Sequence, residues 1–165
     1  MTPIQLGVSI IDQTMQHLLP AKYDSVQARV LLLAIGLQES QFLRRAQIGG
    51  PARSFWQEEQ GGSIHGVLTS PATRLQMRAV CQLRVVAPIE SDVYGAVLTD
   101  DLLGCAVARL VLWADPNPLP VLGDVAAAWA CYDLRAWRPG KPRPHDWPTN
   151  YAAALAAVTH TMQAT

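Results

Sequence analysis

The residues best placed to do chemistry lie between Leu31 and Gly62, in "LLLAIGLQESQFLRRAQIGGPARSFWQEEQGG". Glu39 stands where an apolar run ends. On a helix its neighbours at i−4, i−3, i+3 and i+4 are Ile35, Gly36, Phe42 and Leu43. None is basic, and Arg44 and Arg45 fall at spacings that point elsewhere. Glu39 also lines up with Leu32 and Ile35, which face a core. Desolvation without a cationic partner raises a carboxyl pKa. A carboxylic acid that keeps its proton near neutral pH is what general-acid catalysis requires. Spacing alone leaves a second reading open, in which Glu39 reaches solvent at the helix end.

The segment that follows adds polar and aromatic groups. Gly49 and Gly50 permit positive φ or close backbone approach, and Pro51 stiffens the turn. Trp56 is a flat, amphipathic ring of the kind that lines a sugar groove, or else a core aromatic. Gln57 offers both a donor and an acceptor. Glu58 and Glu59 are adjacent, so in an extended segment they face opposite ways. Glu59 follows the Trp-Gln pair and is the better candidate for a second cleft carboxylate. Glu58, Asp133 and Asp146 are lesser ones.

These groups must be held by helices. Ile4, Val8, Ile11, Met15, Leu18 and Leu19 recur at helical spacing over residues 4–19, before Pro20. A second helix, capped by Asp24 or Ser25, is expected to run to about Arg45, and its middle, "VLLLAIGL", is apolar on every face. Such a helix is central and buried. Residues 46–70 read as a long loop, with glycine pairs and room for one short hairpin near 50–66. Further helices are expected over about 71–84, 88–97, 100–114, 124–137 and 146–162. The linker "DPNPLPVLGD" and the rigid loop "RPGKPRPHDWP" separate the later ones. Alternating β-branched residues are almost absent. The expectation is an all-α fold of about seven helices, forming a single domain over residues 1–165.

Composition removes several alternatives. Half the residues are hydrophobic and 16% are charged, which suits a globular chain. The formal net charge is zero, so no global basic field attracts nucleic acid, and none is expected as a partner. Cys81, Cys105 and Cys131 lie far apart in apolar contexts and read as reduced core residues. The four histidines lack ligand spacing, and no GxxxxGK[ST], GxGxxG or GxSxG motif occurs. No metal or cofactor is expected. The N-terminus lacks the pattern of a signal peptide, and no apolar run is long enough to insert in a membrane. Arg135, Arg138, Lys141 and Arg143 cluster in the second loop. They read as a patch for an anionic wall, or as solvated charges near helix ends.

"LQES" at the end of a buried helix, followed by "GPARSFWQ", resembles the catalytic region of lysozyme-like lytic transglycosylases and goose-type lysozymes. Glu39 and Gln57 are eighteen positions apart, as in that pattern. The continuation through Gly61, Gly62, Gly66 and Val67 also resembles lysozyme-like proteins encoded by bacteriophages and prophages. A third element of the family is a Tyr-Asn on a late helix. "AWACYDLRAW" supplies it through Tyr132, with Asp133 where asparagine is usual. The likeness covers residues 28–67 well and 126–155 loosely.

The resemblance implies a lysozyme-like fold and a muramidase that cuts the β-1,4 bond between N-acetylmuramic acid and N-acetylglucosamine. Glu39 would be the acid on the glycosidic oxygen, and Ser40 would orient it or a saccharide. Gln57 and Tyr132 would contact substrate. A hydrolase would need a second carboxylate, for which Glu59 stands first. A transglycosylase would use the substrate's own N-acetyl group instead. The partners implied are peptidoglycan glycan strands and other phage virion proteins. Without a signal peptide, the protein would reach the wall through a holin or as part of a virion, and the zero net charge favours the second. The rival reading is a structural or assembly protein that keeps the fold without the activity.

Overall fold

Helix α2, Val26–Ser40, is a buried helix against which the first, sixth and last helices pack. Ser25 caps it, its side chain accepting from the Ala28 N–H. Val30 through Gln38 are buried without interruption, as an all-round apolar sequence demands. The computed structural model describes residues 1–163 and contains eight α-helices among them. The fold is all-α. α1, Pro3–His17, opens with Thr2 and Gln5 in a reciprocal capping box. α6, Asp101–Ala114, is capped by Asp100 and is almost as buried as α2. α8, Trp147–Gln163, makes the most extensive contact with α2, while α1 and α6 pack on its other sides.

α2 stops five residues short of the expected Arg45. Gln41 and Phe42 both adopt left-handed φ, at 56° and 53°, which no helix continues through. The reversal lays the Phe42 ring back on the helix. A Cβ on Gly36 would lie 2.2 Å from Phe42 Cζ, and one on Gly7 2.8 Å from it. These two glycines make room for the ring, and Glu39 is thereby left in the final turn of α2.

Residues 46–64 differ from the expected hairpin. Two isolated bridges form, Ala46 with Arg53 and Arg53 with Glu58. Positive φ at Ser54 and Gln57 breaks the extended run between them, and no strand forms among the described residues. A kinked turn at Gln60–Ile64 leads into α3, His65–Thr69, which the glycine-rich sequence hides. α4, Arg74–Arg84, and α5, Glu90–Ala96, follow. α7, Val125–Ala130, runs on into a wider π-helical turn, Cys131–Ala136. No helix is long and apolar enough to cross a membrane among the described residues. The three cysteines are free and buried.

Candidate active site

A cleft of about 1530 Å³ opens beside the end of α2. Its walls come from the last turn of α2, the 46–63 segment, the end of α6 and the 132–143 segment. Glu39, Ser40, Gln57, Glu59 and Tyr132 all line it. Five of the six residues expected at a site are thus gathered in one concavity from three separate stretches of chain.

Glu39 is half-buried and bonded to one group. The Tyr132 hydroxyl donates to Glu39 Oε1 at 2.7 Å. Burial raises the Glu39 pKa above the usual carboxyl range. The Tyr132 hydrogen bond and the Arg143 charge pull it back only in part. Tyr132 is fixed in turn by aromatic packing. Its ring stacks on Trp147 with centroids 5.1 Å apart and 5° between planes, and Trp129 packs at 5.4 Å. Burial and the neighbouring Glu39 carboxylate push the Tyr132 phenol up, so it remains a donor at any physiological pH.

A buried amide chain holds the helix end from behind. Asn150 Nδ2 donates to Gln38 Oε1 at 2.8 Å. Gln38 Nε2 donates to the Arg143 carbonyl at 2.9 Å, and the Arg143 guanidinium donates back to the Gln38 carbonyl. The reciprocal pair straps the 138–146 loop to the residue before Glu39. Gln38 and Asn150 are absent from the sequence-based candidates, and Arg143 enters them only as part of the loop's basic patch. The one local signal was Gln38 itself, a polar side chain closing a fully buried run, which must find partners.

The remaining residues divide by location. Ser40 Oγ sits 2.7 Å from the Phe55 carbonyl and accepts from the Phe42 N–H at 3.1 Å. Its hydroxyl clamps the 46–59 segment to α2 and also lies 3.2 Å from the Gly36 carbonyl, and no bond to Glu39 forms among the described residues. Gln57 Nε2 donates to the Ser54 carbonyl at 2.8 Å, and its Oε1 has no partner among the described residues. Glu59 is exposed on the cleft wall.

Trp56 corrects the expectation of a sugar-stacking ring. It is 0% exposed and lies outside the cleft lining. Its Nε1 donates to the Leu32 carbonyl at 2.9 Å, and Phe42 packs edge-on against it at 5.5 Å. An indole whose one polar atom meets a helix carbonyl is satisfied inside the core.

Glu58 faces the opposite way from Glu59, as the extended geometry requires, but into protein. It is 1% exposed, and its Oε2 would lie 3.6 Å from a Cβ on Gly104. Neither carboxyl oxygen makes a bond of hydrogen-bond geometry among the described residues. Burial drives its pKa well above the ordinary value, and the nearby Ser54 side chain and Ala108 N–H offset this only weakly. The Ala108 N–H is already engaged in the α6 ladder. Glu58 is therefore a core residue whose burial favours the protonated form. Asp146 pairs with Arg143 at 3.5 Å and His145 at 3.1 Å.

No family model, curated protein or solved structure matches the chain.

Proposed function

We propose that this protein is a lysozyme-like lytic transglycosylase acting on the β-1,4 MurNAc–GlcNAc bond of peptidoglycan, with Glu39 as acid and then base. The observation that carries the reading is the pair of Glu39 and Tyr132, 2.7 Å apart, inside an open cleft of about 1530 Å³. A raised carboxyl pKa keeps the proton available. The phenol orients the carboxyl and steadies the carboxylate once that proton has left.

In this mechanism Glu39 transfers its proton to the glycosidic oxygen as the bond from that oxygen to the muramic C1 breaks. The substrate's N-acetyl group stabilises the electron-poor C1. The Glu39 carboxylate then takes the proton of the substrate's 6-hydroxyl, whose oxygen closes on C1 to give an anhydro sugar. The carboxylic acid is regenerated and no second carboxylate is consumed. Glu59, exposed on the same wall, sustains a second reading in which water attacks instead. A phage or prophage virion component that opens the wall locally is the setting that zero net charge favours.

The test is solubilisation of dye-labelled peptidoglycan. Wild type should release dye, and Glu39→Gln should bind the polymer yet release none. Equal release by both proteins would reject Glu39 as the acid, and no release by folded wild type would support the structural rival.

A further inference from the structure

The cleft carries an unbalanced charge in a chain whose net charge is zero. Arg44, Arg135, Arg138, Lys141 and Arg143 line it, against Glu39, Glu59 and Asp115. Two of these cations are already engaged. Arg135 pairs with Asp115 at 2.7 Å, and Arg143 bonds to the Gln38 carbonyl and faces Asp146. Arg44, Arg138 and Lys141 are exposed and have no ion pair among the described residues.

Their placement is fixed by the same parts that build the site. The Tyr132 carbonyl accepts from both the Trp137 and Arg138 N–H groups, at 2.9 and 3.3 Å. Trp137 Nε1 donates to the Trp56 carbonyl at 3.0 Å. Arg138 takes a left-handed φ of 47°, where glycine would sit without strain and arginine does not. Pro139, Pro142 and Pro144 restrict the chain around Lys141. Arg44 approaches from the other segment, just past the reversal that ends α2. The residue that orients Glu39 thus also anchors the backbone that presents Arg138.

Neutral sugar hydroxyls and amides give three unneutralised cations nothing to pair with, whereas carboxylates form charge-assisted bonds with them. A muramic-acid strand bears such groups on the peptides attached to its lactyl ethers. We propose that Arg44, Arg138 and Lys141 form a carboxylate-binding rim that engages the carboxylates of the peptide stems on a muramic-acid strand. This inference rests on the muramidase reading above.

The experiment is sedimentation of the Glu39→Gln protein with purified sacculi, either intact or with their stem carboxylates capped as neutral amides by carbodiimide coupling to excess ethanolamine. Cleavage by wild type is measured in parallel on the same two preparations. The rim predicts tighter binding to intact sacculi by about tenfold at low salt, with the preference shrinking as salt is added. Adding Arg44→Ala, Arg138→Gly and Lys141→Ala to Glu39→Gln should abolish the preference. Glycine at 138 keeps the left-handed backbone, and an unchanged melting temperature would show that the fold is retained. Equal binding to both preparations, with wild type cleaving both, would overturn the rim and leave the muramidase reading standing. A preference that survives the triple change would also overturn it. Absence of both binding and cleavage would overturn the two together.

Discussion

Tyr132 and Glu39, 93 residues apart in sequence, meet through a 2.7 Å hydrogen bond from phenol to carboxyl. The contact joins the π-helical turn after α7 to the last turn of α2, and it tempers the proton affinity of a carboxyl that lines the cleft. Burial raises that affinity, while Tyr132 and then Arg143 lower it.

Removing the phenol has a signed consequence. Tyr132→Phe deletes the hydrogen bond that favours the carboxylate, so the Glu39 pKa should rise further. In the proposed mechanism cleavage requires the protonated form and is lost as pH climbs through that pKa. The alkaline limb of a kcat/KM profile should therefore shift to higher pH in Tyr132→Phe. At its optimum the rate should fall about tenfold or more as orientation is lost. A limb that moves down or stays in place would count against the contact.

Glu59→Gln separates the two mechanisms. With substrate-assisted closure the change should cost less than about tenfold, the effect of altering one exposed cleft contact. Were Glu59 the base that activates water, the loss would be about 100-fold or greater. Initial rates on soluble glycan strands decide it.

Glu58 should report on stability rather than catalysis. Its folded pKa lies well above its unfolded value. Below the unfolded value both states hold the proton. Above it the unfolded chain ionises first, so stability contributed by the protonated carboxyl is lost as pH rises toward the folded pKa. Glu58→Met should raise stability by about 1–3 kcal/mol near neutral pH, with a gain that grows as pH rises from the unfolded value of about 4 toward the raised folded one. Thermal melts of the two proteins across that range provide the check, and a gain that shrinks with pH would contradict the assignment.

Trp56→Ala should behave as a core deletion. Its ring is fully buried and its Nε1 bonds the Leu32 carbonyl, so a loss of about 3–5 kcal/mol is expected in denaturant unfolding. An intact fold with weakened saccharide binding would instead return Trp56 to the cleft.

The sequence carried the helices well where caps and periodicity agree, as at Ser25 and Asp100. It failed at the end of α2, because Gln41 and Phe42 take left-handed φ without the glycine that usually announces it. Glu39 was legible because a helix fixes its neighbours, none of which is basic. Parity correctly separated Glu58 from Glu59, but period alone does not say whether the inward face is a cleft or a core. Residue type misled at Trp56, since an indole suits a groove and an interior equally. Gln38 and Arg143 meet across 105 residues, and no local pattern encodes that contact.

In the proposed reaction Glu39 delivers a proton to a glycosidic bond whose cleavage ends in ring closure. Mass spectrometry of muropeptides released from purified peptidoglycan, with wild type beside Glu39→Gln, tests it most directly. Wild type should release anhydro-muropeptides and the variant none. Anhydro products from Glu39→Gln, reducing ends alone from wild type, or no products from a folded wild type would contradict it.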